Sequence, residues 1–96
     1  MVPMEVAGKA VQVMELALQV ATEGNINAIS DAASGAALAR ASLTGAGLNV
    51  RTNANSLNDP FFAQPMLEEL ARLEDRAAVT EQQIRKVLVE RGNLKL

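Results

Sequence analysis

The residues of this chain that could do chemistry fall in two short polar blocks, one on each side of an Ala-rich segment. The first block contains Asn27, Ser30 and Asp31, and the second contains Asn49 and Arg51. Asp31 could act as a general base, because a carboxylate can accept a proton from a reacting group. It is equally suited to the first turn of a helix, where the helix dipole stabilises negative charge.

Each of the remaining polar residues could either bind a ligand or stabilise the end of a helix. Asn27 and Ser30 could contact a ligand, but both residue types are favoured as helix N-caps, and we prefer that interpretation. Arg51, with Asn49 beside it, could bind a carboxylate, because a guanidinium pairs with that group through two parallel hydrogen bonds. The alternative is that Asn49 and Arg51 stabilise the C-terminus of a helix.

Amino-acid composition excludes several classes of site. The chain has no His and no Cys, which rules out a Ser-His-Asp triad, a thiolate nucleophile and a His- or Cys-ligated metal. We therefore expect no metal and no cofactor. The net charge of −2 gives no basic patch, and Phe61 and Phe62 are the chain's two aromatic residues, too few for a base-stacking surface, so we expect neither nucleic acid nor a membrane as a partner. Glu5 and Lys9 interrupt the N-terminal apolar segment, so we expect no signal peptide and a cytoplasmic location.

Hydrophobic periodicity predicts the elements that must position these residues. The first helix is expected over residues 3–23, where two neighbouring apolar stripes leave a narrow polar face. A joint at residues 25–30 leads into a second helix over residues 27–50, rich in Ala and Gly, whose small side chains allow close packing. Its composition is too weakly apolar for a membrane span.

A polar connection is expected at residues 51–60, ending in a cap at Asn58 or Asp59 and a Pro at the first helical position. The third helix is predicted over residues 61–91. Its apolar residues repeat at the spacing of a narrow coiled-coil seam: Met66, Leu70, Leu73, Ala77, Thr80, Ile84 and Val87.

These elements predict an all-α fold in a single domain spanning residues 1–96. Hydrophobic residues make up 49% of the chain, which exceeds what a small isolated core needs. The first two helices would form a hairpin with the third packed across it. Because this three-helix unit has more apolar surface than it can bury, we expect a helical-bundle homodimer or higher oligomer.

The two polar blocks also carry a resemblance. Residues 24–53 read GNINAISDAASGAALARASLTGAGLNVRTN, and Val2-Pro3-Met4 precedes them. This segment resembles the cyclodeaminase (methenyltetrahydrofolate cyclohydrolase-like) domain of the formiminotransferase-cyclodeaminase family. Around the first polar block the matching residues are Gly24-Asn25 and residues 27–32, and around the second they are Gly45-Ala46, residues 48–51 and Asn53. The likeness covers residues 2–62 and corresponds to the C-terminal half of that domain, about half of its length.

The resemblance implies an all-helical bundle that dimerises, with ancestry in folate one-carbon chemistry. In that chemistry a formimino-tetrahydrofolate loses ammonia and closes to the methenyl form. The resemblance implies that Asp31 would be the catalytic residue or would anchor a pterin amide. Asn27, Ser30, Asn49 and Arg51 would be ligand-binding, with Asn49 and Arg51 near the anionic glutamate tail of the folate.

Two functions follow. The first, which the sequence favours, is a cyclodeaminase-like helical oligomerisation module that keeps the dimer scaffold without catalysis by the isolated chain. As a pure scaffold it would bind no folate, and a subunit interface is where a reduced folate could bind. The second is a folate one-carbon enzyme, a formimino-tetrahydrofolate cyclodeaminase or methenyl-tetrahydrofolate cyclohydrolase. It would act as an oligomer or together with a separate N-terminal half, with a tetrahydrofolate derivative as its substrate.

Overall fold

The computed structural model describes residues 2–96 and is built from three long helices. Helix α1 spans Val2–Glu23, α2 spans Ile29–Leu57 and α3 spans Pro60–Glu90, and a short 3₁₀ turn at Ile26–Ala28 precedes α2. Residues 2–96 contain no strand. The predicted all-α class is confirmed, and the predicted bounds of the first and third helices agree with those of α1 and α3 to within one residue.

The second helix is longer than the sequence predicted. It begins at Ile29 and continues to Leu57, so the connection expected at residues 51–60 is wrong, and Asn58 and Asp59 alone join α2 to α3. Val50 and Ala54 are buried against the other helices, which outweighs the weak helix propensity of the Thr, Asn and Ser residues around them. The Ser56 hydroxyl donates to the carbonyl oxygen of Thr52 within the helix.

The two helix connections are short, and their residues end α1 and α2 and cap the start of α3. Gly24 ends α1, and its N–H donates to the carbonyl oxygen of Val20 at 2.7 Å. Asn58 adopts a left-handed conformation with φ of 53°, which Asn tolerates better than most residues. Asp59 then caps α3 by accepting a hydrogen bond from the Phe61 N–H at 3.0 Å, with Pro60 in the first helical position as predicted.

The predicted seam of α3 is the face that enters the core. Its central residues are buried, and the two end residues, Met66 and Val87, are half-buried. This face packs against α1 and α2, where Met14, Leu43 and Val50 are almost fully buried. The seam therefore serves packing within the chain.

Ion pairs and side-chain bonds hold α3 parallel to α1 and antiparallel to α2. Arg76 pairs with Glu15 of α1 at 2.7 Å, and this hydrogen bond and charge raise the pKa of the Arg76 guanidinium. Near the end of α3, the Arg91 guanidinium donates to the carbonyl oxygen of Ala21 at 2.8 Å and to that of Gly24. Arg91 thereby satisfies carbonyls that the C-terminus of α1 leaves unpaired.

The first helix buries one predicted stripe, Val11, Met14, Leu18 and Ala21, more fully than the other, Val6, Ala10, Val13, Ala17 and Val20, in which Ala10 is buried and Ala17 is half-buried. Val11, Met14 and Ala21 are buried, whereas Val6, Val13 and Val20 are each between 41% and 48% exposed. The exposed stripe lies on the side of the α1–α2 hairpin that faces away from α3. No helix in residues 2–96 is both long and apolar enough to cross a membrane.

Candidate functional site

The first polar block lies at the joint between α1 and α2. Asn25 caps the 3₁₀ turn, because its Oδ1 accepts a hydrogen bond from the Asn27 N–H at 2.8 Å. The caps expected at Asn27 and Ser30 are therefore wrong, and α2 begins after Ala28 without a side-chain cap. Asn27, Ser30 and Asp31 are all exposed, and Asp31 lies in the first turn of α2 as predicted.

The second polar block lies within α2 rather than at its end. Because α2 continues to Leu57, the interpretation of Asn49 and Arg51 as helix C-terminal residues is wrong. Arg51 points toward α3 and pairs with Glu74 at 2.7 Å. Asn49 is exposed on a different side of the helix. Arg51 is therefore engaged in joining α2 to α3, and a ligand carboxylate would compete with Glu74 for it.

One chain does not bring the two blocks together. Asp31 and Asn49 are separated by five turns of the same helix, which places them about 27 Å apart along its axis. Eighteen residues are a whole number of turns, so both side chains leave α2 on the same side. Each block by itself offers a few exposed polar groups.

A cavity lies elsewhere, between the first half of α2 and the second half of α3. It has a volume of about 560 Å³, with an apolar floor that includes Met14, Ile84 and Leu88. Its polar wall is formed by Glu81, Gln82 and Arg85 of α3. Sequence analysis did not single out these three residues, since their proximity to α2 depends on how the helices pack. Arg40 of α2 approaches Glu81 at 3.9 Å.

A second depression follows the exposed side of the α1–α2 hairpin. This groove has a volume of about 440 Å³ and runs between the valines of α1 and the small residues of α2. The residues that line it are Val6, Lys9, Ala10, Val13, Gly35, Leu38, Ala39 and Ser42. Its walls are predominantly apolar, and Leu38 is 73% exposed. A groove of this kind is suited to another helix more than to a polar small molecule.

Across residues 2–96, no three Asp or Glu side chains come close enough together to hold a metal ion. The ion pairs that do form are exposed contacts between an Arg and a Glu. The arrangement therefore offers hydrogen-bonding and charge-pairing groups.

Comparison with known proteins decides the family. The sequence model of the formiminotransferase-cyclodeaminase family matches residues 1–72, which includes α1, α2 and the beginning of α3. The chain belongs to the formiminotransferase-cyclodeaminase family. The match extends into α3, beyond the limit at residue 62 that the sequence motifs indicated.

One curated relative that matches most of this chain is a methenyltetrahydrofolate cyclohydrolase from Methylorubrum extorquens. It is 39% identical over 82 residues, which amount to 85% of this chain and 39% of the relative. This member of the formiminotransferase-cyclodeaminase family thus spans about two fifths of the length of the relative that it matches. No solved structure matches the chain.

Proposed function

We propose that this chain is a cyclodeaminase-like helical module that associates with itself and binds a reduced folate at the resulting interface. The exposed apolar surface on the α1–α2 hairpin is the observation that carries the proposal. We call it the hairpin face, and it comprises Val2, Val6, Val13 and Val20 of α1 with Leu38 of α2, each between 41% and 73% exposed.

The hairpin face leaves four valines and a leucine exposed. Large contiguous apolar surfaces on globular proteins commonly mark sites of protein association. Burying one of these valines against a partner would contribute about 1.5–3 kcal/mol in the limit of complete burial. Within residues 2–96, α3 packs against the buried residues of α1 and α2 and leaves this face exposed.

Family membership supports a reduced folate as the ligand. The relative from Methylorubrum extorquens is named for a reaction on methenyltetrahydrofolate. Its match to this chain spans 82 residues and includes the segment that contains both polar blocks. Asp31 and Asn49 provide a hydrogen-bond acceptor and an amide, groups that can pair with the edge of a heterocycle. Because Asp31 and Asn49 are exposed and lie far apart along α2 within one chain, the ligand would be held between subunits.

A second candidate function is catalysis of the folate reaction itself. The 39% identity to a cyclohydrolase supports it. The separation of Asp31 from Asn49 and Arg51 speaks against catalysis by a single copy, since acid–base and binding groups must converge on one substrate. The enzyme would act as an oligomer or together with a polypeptide that supplies the rest of the relative's length.

Sedimentation equilibrium at micromolar concentration tests the assembly. We expect an oligomer, and we expect Val13→Glu to raise the dissociation constant by more than about tenfold, since a carboxylate would be buried without a partner. Val79→Glu is the matched control, because Val79 is 59% exposed on α3, away from the hairpin face. A monomeric parent, or equal effects of the two variants, would contradict the proposed assembly.

Calorimetric titration with methenyl-tetrahydrofolate tests the ligand. Saturable binding is expected for the parent and not for Asp31→Ala, whose helical circular dichroism should be unchanged because Asp31 is exposed. Absence of binding by the parent would refute the folate proposal while leaving the sedimentation result intact. Release of ammonia from formimino-tetrahydrofolate by the purified oligomer would favour the catalytic function over the binding module.

A further inference from the structure

One side of α2 carries a regular row of residues that the fold of a single chain does not use. The row is Asp31, Gly35, Leu38, Ser42, Gly45 and Asn49, with alternating spacings of four and three. Such spacing keeps side chains on one side of a helix, as in the contact line of a coiled coil. All members are exposed except Gly35, which is half-buried beside the valines of α1.

The row is symmetric about the level of Arg40. Reading outward from that level, Leu38 corresponds to Ser42, Gly35 to Gly45, and Asp31 to Asn49. In a two-fold dimer of antiparallel helices, each residue lies opposite its counterpart on the other side of the axis. A large side chain would then meet a small one, glycine would meet glycine, and a carboxylate would meet an amide.

The two glycines have no explanation within one chain. Glycine in the middle of a helix lowers stability relative to alanine. A Cβ added at Gly35 or Gly45 would meet nothing within 4 Å, so the chain itself has space for a side chain there. Gly47 differs, because its added Cβ would lie 3.0 Å from the Arg51 guanidinium and 3.3 Å from Glu74. Close approach of another backbone is a reason for glycine at positions 35 and 45.

Charge and area favour a second copy of this chain in the antiparallel direction. Asp31 carries the row's one charge, and antiparallel pairing keeps the two copies of Asp31 about 27 Å apart, whereas parallel pairing would oppose them. The molecule measures 49 by 19 by 18 Å. The hairpin side thus has an outline of roughly 900 Å², compared with the ~800 Å² that each partner contributes to a standard interface.

We infer that two copies pair α2 antiparallel about a two-fold axis level with Arg40, so that Asp31 of each copy meets Asn49 of the partner subunit. The inference rests on the proposed self-association and specifies its geometry. The two polar blocks, separated within one chain, are brought together at each end of this helix pair. A folate site of this kind is composite, with the carboxylate from one copy and the amide from the other.

Disulfide cross-linking tests the helix pairing directly, since the chain has no native Cys. Gly35→Cys and Gly45→Cys are made as separate variants, mixed in equal amounts and oxidised. We expect a covalent dimer from the mixture and none from either variant alone, because like positions lie about 15 Å apart in the antiparallel pair. Cross-linking of each variant alone would indicate parallel helices and overturn the inference.

Failure of both the mixture and the single variants to cross-link would also overturn the helix pairing, provided that the parent is a dimer in sedimentation. That outcome is compatible with the proposed self-association, whereas a monomeric parent would contradict both the self-association and the helix pairing. Gly45→Leu provides a second readout, with Gly8→Leu as its control, since both positions have open space within the chain. Gly45→Leu should raise the dissociation constant at least tenfold, and Gly8→Leu should leave it within twofold of the parent.

Complementation tests the composite site. Asp31→Ala and Asn49→Ala should each abolish binding of methenyl-tetrahydrofolate. In an equal mixture, half of the dimers are mixed, and each mixed dimer regains one of its two sites, so about a quarter of the parent's capacity should return. No recovery, with cross-linking positive, would show that the site lies within one chain and would refute the composite site.

Discussion

At the scale of single residues, a few residue types determine how the helices end. Asn58 and Asn93 occupy the left-handed region that follows a helix end. Gly24 has an ordinary conformation and is required for space, since an added Cβ would lie 2.5 Å from the carbonyl oxygen of Val20. The sequence correctly predicted that the first helix ends at residue 23, and the structure shows that the glycine that follows is required for steric reasons.

Gly24→Ala should therefore destabilise the chain by about 1–3 kcal/mol, as expected for a side chain inserted where there is no room. Gly8→Ala is the control, because nothing lies within 4 Å of the added Cβ and alanine favours the helix by up to ~1 kcal/mol. Urea unfolding followed by circular dichroism measures both. Equal midpoints for the two variants would show that the end of α1 adjusts without cost.

At the scale of elements, α2 has two sides with different roles. Leu43 is fully buried against α1 and α3, whereas Leu38, on the hairpin face, is 73% exposed. Leu43→Ala should cost about 2–5 kcal/mol of folding free energy, because it leaves a cavity in the core. Leu38→Ala should leave the stability of the monomer nearly unchanged and weaken association instead. Urea unfolding and sedimentation of the two variants separate these effects, and a large loss of monomer stability in Leu38→Ala would contradict this assignment.

The contact between α3 and the end of α1 makes a second prediction at this scale. Arg91→Met removes the hydrogen bonds to the carbonyl oxygens of Ala21 and Gly24, and it should cost about 1.5–3 kcal/mol, the range for bonds to a charged group. Lys86→Met, at an exposed position of α3, is the control. Amide hydrogen exchange at the end of α1 should accelerate in Arg91→Met alone, and unchanged protection would show that Arg91 is dispensable there.

At the scale of the whole molecule, stability and assembly should be linked. The unit is elongated, 49 by 19 by 18 Å, so a large share of its surface is available to a partner. If the hairpin face is an interface, the folded oligomer is favoured by mass action, and the melting temperature should rise with protein concentration. Circular dichroism melting at about 1 and 100 μM measures this, with Val13→Glu as the variant in which the rise should disappear. A melting temperature independent of concentration would contradict the assembly.

The sequence alone determined the helical class, two of the three helices and the seam of α3, because these depend on local periodicity and on caps such as Asp59 and Pro60. The resemblance to the family, seen in the two polar blocks, is confirmed by the match over residues 1–72. The sequence also identified Asp31, Asn27, Ser30, Asn49 and Arg51 as candidate residues, and their roles stay predictions.

Tertiary structure decided what local patterns could not. The length of α2 depends on burial of Val50 and Ala54 by the other helices, which overrides the polar composition around them. The pairing of Arg51 with Glu74 joins residues far apart in the chain. The choice of which stripe of α1 is buried follows from where α3 packs. When a helix is apolar on two sides, its own sequence does not specify which side is buried within the chain and which side stays exposed. Burial depends on how the helices pack against one another.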